Sequence, residues 1–290
     1  MNKANNSHAY IVVLGIAQDA GYPQINCEKE YCADAWENSS LQKKPSCIAI
    51  VDPSTKEQWI IDATPEIKNQ LYLLKKISGS NKISGILLTH AHIGHYTGLM
   101  YLGKEALNTH KTPVLAMPKM KLFIEKNAPW NQLNNLENIK LIELNNNLKI
   151  DLNTKVSISP FLVPHRNEFS ETVGYNISIN NKSIIYIPDI DSWQNLGFSI
   201  RDLIKKCDYA FVDGTFYDHN ELARNIKEIP HPTIKESISL FDSFTEKDKK
   251  KIHFIHFNHT NPVISNEKFG RKNVLEQGFN LAYEGQIIRL

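Results

Sequence analysis

An α/β fold in which two β-sheets pack together with helices outside is what this sequence predicts, on three observations. Short apolar runs rich in Ile, Val, Phe and Tyr recur along the whole chain, with helical periodicity between several of them. Strands come first in runs and only later interleave with helices, a mixture that suits two packed sheets. Residue types that ligate metals fall immediately after many of these runs, as expected where loops at one edge of a rigid sheet carry function. There is no internal repeat, low-complexity tract or Pro/Gly/Ser linker, so one domain over residues 1–290 is expected.

Taken in order, Ala9-Tyr10-Ile11-Val12-Val13-Leu14 predicts a buried strand over 9–15. Further strands are predicted at 47–52, 57–62 through Trp59-Ile60-Ile61, and 83–89 through Gly85-Ile86-Leu87-Leu88. A helix is predicted at 96–107, where Leu99, Leu102 and Ala106 share a face. Then come a strand at 113–117, a helix at 120–126, and strands at 138–143, 155–163, 172–179, 183–188 and 208–213. A helix at 232–244 precedes the strand at 252–257, read from Ile252-His253-Phe254-Ile255.

Composition excludes several classes. With 41% hydrophobic and 22% charged residues the chain is of the ordinary globular type and needs no staples to build a core. A net charge of +2 gives no nucleic-acid track, and the basic run Lys247-Asp248-Lys249-Lys250-Lys251 reads as a solvated loop. No apolar stretch is long enough to span a membrane. The polar start, residues 1–8, lacks the cationic opening and cleavage site of a signal peptide, so the cytoplasm is the expected location. Four cysteines are too few for a disulfide framework. Cys27 and Cys32, beside a Gly-Tyr-Pro turn, read better as metal ligands, with ordinary buried thiols as the competing reading, and Cys207 reads as core.

The chemistry concentrates in Thr89-His90-Ala91-His92-Ile93-Gly94-His95. Three imidazoles on the turn leaving a strand can converge on one ion, and imidazole is the commonest nitrogen ligand of zinc and iron. Asp62, His165, Asp189 and His256 likewise stand just past strand ends. An ion held by neutral imidazoles keeps an open position and lowers the pKa of water there from about 15.7 toward about 7, making a hydroxide nucleophile available at neutral pH. Asp189 is expected to take the proton of the attacking water, and Asp191 is its alternative as ligand. Asp62 reads as a residue that orients the loops.

These residues, together with Gly21-Tyr22-Pro23-Gln24, Val212-Asp213-Gly214-Thr215-Phe216 and the 254–262 stretch, resemble the metallo-β-lactamase superfamily over nearly the whole chain. That fold is an αββα sandwich with metals at the sheet edge. Within it the chain looks most like the pyrroloquinoline-quinone biosynthesis protein B group and its hydrolase-like relatives, with a second similarity to a phosphonate-pathway cyclic phosphodiesterase. The resemblance implies a first metal held by His90, His92 and His165 with Asp189 bridging, and a second held by His95, Asp189 and His256. It also implies that His231, flanked by Pro230 and Pro232, protonates the leaving oxygen, a helix-capping surface histidine being the alternative. A structural zinc on Cys27, Cys32 and His259 is implied too, with Cys47 the guess for its fourth ligand.

The chain departs from the pattern at Gly94, where the superfamily has an aspartate. Loss of that carboxylate predicts one ion or a weakly held second, and predicts that Gly94→Asp strengthens the second site. It departs from the quinone-biosynthesis group in the other direction, because His90, His92 and Asp189 stand where typical members of that group lack ligands. The expected function is therefore a metal-dependent hydrolase using a hydroxide on an ester-like bond, phosphodiester or lactone. Zinc is the expected ion, with iron or manganese as alternatives, one or two catalytic ions and a further structural zinc. The rival is an iron-dependent oxygenation in quinone-cofactor biosynthesis, and a carrier protein comes third, since a carrier needs no open metal position. The expected partner is a small-molecule substrate, with a homodimer left open.

Overall fold

The computed structural model describes residues 8–221, 229–265 and 268–290. Among them, fourteen strands form two seven-stranded sheets. The strands are β1 (Tyr10–Gly15), β2 (Cys47–Asp52), β3 (Glu57–Ile61), β4 (Gly85–Leu87), β5 (Thr112–Ala116), β6 (Ile139–Glu143), β7 (Ile150–Asp151), β8 (Val156–Leu162), β9 (Val173–Ile179), β10 (Lys182–Ile187), β11 (Tyr209–Asp213), β12 (Ile252–Ile255), β13 (Asn280–Leu281) and β14 (Ile287–Arg289). The first sheet runs β14-β1-β2-β3-β4-β5-β6 and the second β13-β12-β11-β10-β9-β8-β7. Both are mixed. Antiparallel pairing joins β14, β1, β2 and β3, and parallel pairing continues through β4, β5 and β6. The second sheet is antiparallel from β7 to β10 and parallel from β10 to β13.

Strand periodicity explains the layers. On β1, Ile11 and Val13 point into a core shared with the second sheet, while Tyr10, Val12 and Leu14 point to the other face. The first sheet is thus apolar on both faces. Helices α2 (Ile67–Ser78), α4 (Pro118–Lys126) and α5 (Trp130–Asn135) cover its outer face through Ile67, Leu74, Met120, Ile124 and Leu133. Helices α6 (Ile200–Lys206), α7 (Ile234–Leu240) and α9 (Lys268–Glu276) contribute Ile200, Ile204, Ile234, Ile238 and Val274 to the cluster that holds the second sheet. Each such side chain, fully buried, contributes about 1.5–3 kcal/mol. The remaining helices, α1 (Glu30–Glu37), α3 (Ile93–Tyr96) and α8 (Glu246–Lys249), are short. No described helix is long and apolar enough to cross a membrane.

Every strand expected from sequence is present, and β7, β13 and β14 are additional. The helix expected at 96–107 is corrected: the α-helical turn is α3, followed by a 3-10 turn over Thr97–Leu102. Gly98 explains the tightness, since a Cβ there would lie 2.1 Å from Thr64 O, and its N–H donates to Ala63 O at 2.9 Å. The helix expected at 232–244 is α7 alone. It starts in a capping box in which Thr233 and Glu236 satisfy each other's backbone N–H.

Candidate metal centre

The C-terminal ends of β1, β3, β4, β8, β10, β11 and β12 bring Asp19, Asp62, His90, His165, Asp189, Asp213 and His256 to one edge of the sandwich. The loop after β4 is fastened to its neighbours. Thr89 N–H donates to Asp62 Oδ1 at 2.8 Å, Ala91 N–H to Ser170 Oγ at 2.9 Å, and Tyr175 O–H to Leu88 O at 2.6 Å. Asp62 adopts φ +71°, and His256 φ +68°, so both strand ends bend sharply into the site.

Two groups of donors result. His90, His92, His165 and Asp189 form the first, and His95, His256, Asp189 and Asp19 the second. In the first, His90 Nε2 lies 2.9 Å from His92 Nδ1 and 3.4 Å from Asp189 Oδ2, and His165 Nε2 lies 3.1 Å from His92 Nδ1 and 3.2 Å from Asp189 Oδ2. In the second, Asp189 Oδ2 is 4.0 Å from His95 Nε2 and 3.9 Å from His256 Nε2. A tetrahedral zinc with bonds of about 2.0–2.1 Å has ligand-to-ligand edges of about 3.3 Å, close to the separations in the first group and shorter than the 3.9 and 4.0 Å of the second. Asp189 Oδ2 belongs to both groups.

The donor set fits an ion on a second ground. Among the described residues, His95 Nε2, His256 Nε2, Asp19 Oδ1 and Asp189 Oδ1 are buried without a hydrogen-bond partner. An unmet buried polar atom costs about 1–3 kcal/mol. An ion would satisfy several at once. The nitrogens facing away are already held: His90 Nδ1 by Thr89 Oγ1 at 2.9 Å, His95 Nδ1 by Asp62 Oδ2 at 2.7 Å, His165 Nδ1 by Asp191 Oδ1 at 2.7 Å, and His256 Nδ1 by Thr215 Oγ1 at 2.9 Å. Such partners fix ring orientation and tautomer. Asp191 therefore orients His165, and Asp189 stands between the two groups.

Electrostatics follow the packing. Burial alone would raise the Asp189 carboxyl, but His165, His256 and His231 around it hold it well below the usual carboxylate range. Burial would lower His165, yet Asp189 and Asp191 push it up to about 10. His90 is lowered by burial and by neighbouring His95.

His231 sits beside the first group, with Nδ1 2.9 Å from Asp213 Oδ2 and 3.4 Å from Asp189 Oδ1. Asp213 is itself anchored, accepting from Ile190 N–H at 3.0 Å and Thr215 N–H at 2.8 Å. His231, Asp189 and Asp213 form a third close group, but Asp213's oxygens are engaged, which makes it a hydrogen-bonded anchor. His231, Asp191 and Trp193 line a cavity of about 240 Å³. A larger groove of about 700 Å³ along Tyr22, Pro23, Lys43 and Lys76 contains none of the donors.

At Gly94, where the sequence lacks a carboxylate, Asp19 on the loop after β1 comes close, with Oδ1 3.2 Å from His95 Nε2. A Cβ at 94 would lie 2.4 Å from Asp19 Cα, so the side chain of Gly94→Asp would meet that loop. Asp19 lies past the end of β1 with no motif of its own, and its place beside His95 exists only in the folded chain. At the cysteine loop both thiols are free, and burial, with Cys27 close by, pushes Cys32 up to about 12. His259 packs on Tyr31 with ring centroids 5.7 Å apart, and none of the three donors joins a close group among the described residues. Cys47 is no fourth ligand, because it faces the outer core of the first sheet with Sγ 3.4 Å from Asp62 O.

Comparison with known proteins agrees with this architecture. The family described as a beta-lactamase superfamily domain matches residues 58–257. The Coenzyme PQQ synthesis protein B of Pseudomonas putida (strain GB-1) is 26% identical, over 97% of this chain and 100% of its own length. Zn(2+)-bound PqqB from Methylobacterium extorquens superposes with a TM-score of 0.82 at 22% identity, covering 97% of this chain and 100% of its own. A diphosphatase from the PhnP family gives 0.70 at 20% identity, covering 98% and 97%.

Proposed function

The chain belongs to the beta-lactamase superfamily, whose members include enzymes, and from that premise we propose that it is a metal-dependent hydrolase of an ester-like bond, a phosphodiester or lactone. One observation carries this reading: a single oxygen, Asp189 Oδ2, is shared by two groups of imidazole donors at the open edge of the sandwich. His90, His92, His165 and Asp189 would hold one ion, and His95, His256 and Asp189 a second. Bound zinc would acidify a water and polarise the scissile oxygen. Asp189, with Oδ1 left free of hydrogen bonds, accepts the proton of the attacking water. His231, held by Asp213 at Nδ1, presents Nε2 as the proton donor to the leaving oxygen. Asp62, Thr89, Asp191 and Thr215 keep the imidazoles oriented. The alcohol formed when His231 protonates the leaving oxygen would occupy the small cavity beside that histidine. The cysteine loop supports a separate structural zinc only by pairing Cys27 with Cys32 and bringing His259 beside Tyr31.

A second reading, an iron-dependent oxygenation in quinone-cofactor synthesis, is favoured by the curated relatives named Coenzyme PQQ synthesis protein B. Elemental analysis of protein purified without added metal, with hydrolysis of bis(p-nitrophenyl) phosphate and an aliphatic lactone measured with and without oxygen, separates the two. The hydrolase reading predicts bound zinc, turnover independent of oxygen, and loss of both metal and turnover in a folded His92→Ala variant. One iron per chain with oxygen consumption and no hydrolysis would overturn it.

A further inference from the structure

Asp19 and Gly94 press against each other at the second donor group. A Cβ on Gly94 would lie 2.4 Å from Asp19 Cα, 2.5 Å from Oδ1 and 2.8 Å from Cβ. Such separations require the backbone to move. Asp19 thus occupies the space a side chain at 94 would take. Its loop is stitched to the segment that carries His256: Gln18 N–H donates to Phe257 O and Phe257 N–H to Ile16 O, both at 2.8 Å, and Asn258 Nδ2 donates to the Gln18 side chain. Oδ1 of Asp19 then stands 3.2 Å from His95 Nε2 and 3.7 Å from His256 Nε2. All three atoms are buried without a hydrogen-bond partner among the described residues. Three unmet donors converging from three loops point at a common occupant of positive charge.

Resting on the two-ion reading above, we infer that Asp19 is the terminal carboxylate ligand of the second ion, and that Gly94 is its steric counterpart. The second group then comprises two carboxylates and two imidazoles, and the first three imidazoles and the shared carboxylate. The carboxylate lost from the His90–His95 turn has moved to a different strand end. A methyl group at 94 should therefore damage a metal site that it does not itself ligate.

Metal-depleted protein titrated with Zn2+ by calorimetry, with ions counted by elemental analysis after gel filtration, tests this. Wild type should take two ions at the catalytic edge, the number that a Cys32→Ser control, which lacks the cysteine-loop site, also takes. Asp19→Ala and the isosteric Asp19→Asn should keep the first and bind the second about tenfold or more weakly. Gly94→Ala should weaken the same ion, and the double variant Asp19→Ala/Gly94→Ala should lose less than the sum of the two single losses, because both act through one contact. Circular dichroism checks that each variant is folded, and Asp19→Asn keeps the packing should Asp19→Ala not fold. Wild-type affinity for both ions in Asp19→Asn would overturn the assignment and leave the hydrolase reading standing. A wild type that takes one ion regardless of Asp19 would overturn the assignment together with the two-ion reading it rests on. A wild type that takes none would overturn the hydrolase reading as well.

Discussion

His231 is held in place by its surroundings. Its Nδ1 is committed to Asp213, whose oxygens are pinned by the N–H groups of Ile190 and Thr215, and Pro230 and Pro232 restrict the backbone on either side. The ring therefore has one nitrogen left for substrate. A general acid matters only where the departing oxygen needs its proton. His231→Ala should slow an alkyl ester on the order of a hundredfold to ten-thousandfold and a nitrophenyl ester little. Measured kcat/KM for the two substrate types decides it: equal slowing would make His231 a structural support, and no slowing would remove it from the reaction. The sequence made this histidine visible through its two prolines, but could not show Asp213 beneath it. That contact joins residues 213 and 231, and nothing in their spacing announces it.

Strand β12 carries a different kind of histidine. His253 is buried between Phe211, whose ring lies 5.2 Å away, and Tyr209, and its Nδ1 accepts from Gln286 Nε2 at 3.3 Å. Burial lowers it from 6.5 to about 4. The folded state thus resists a proton that the unfolded chain accepts, so this group's contribution to stability is present above pH 6.5 and is lost as pH falls toward 4. From pH 7.5 to 5 the loss is about 2 kcal/mol. Urea unfolding of His253→Gln beside wild type checks it: the variant should lose about 2 kcal/mol less over that interval, and parallel pH profiles would contradict the assignment. The strand itself was legible, as were its longer neighbours, because Ile252-His253-Phe254-Ile255 is apolar on both faces. Strands β7, β13 and β14 were not, since each is two or three residues long and, unlike β4, stands in no longer apolar run. The helix expected over 96–107 failed for another reason. Leu99, Leu102 and Ala106 have helical spacing, but close contact of Gly98 with the Ala63–Thr64 backbone tightens the chain into a 3-10 turn.

Across the molecule, each donor group is drawn from both sheets. His90 and His92 follow β4 of the first sheet and meet His165 and Asp189 from the second, while Asp19 and His95 from the first meet His256 and Asp189 from the second. An ion bound in either group clips the two sheets together at their common edge, so metal binding adds to the stability of the fold. The histidines and Asp189 were legible because each stands at a strand end in a recognisable spacing. Asp19 was not, because its proximity to His95 exists only once the end of β1 is laid beside the β4 turn. The sharing of Asp189 Oδ2 between two ions is the claim on which the proposed chemistry stands. Anomalous diffraction at the zinc edge from crystals of the zinc-loaded protein tests it most directly. Two peaks about 3.5–4 Å apart, one on each side of Asp189, are the predicted result, and a single peak, or density that leaves Asp189 without an ion, would contradict it.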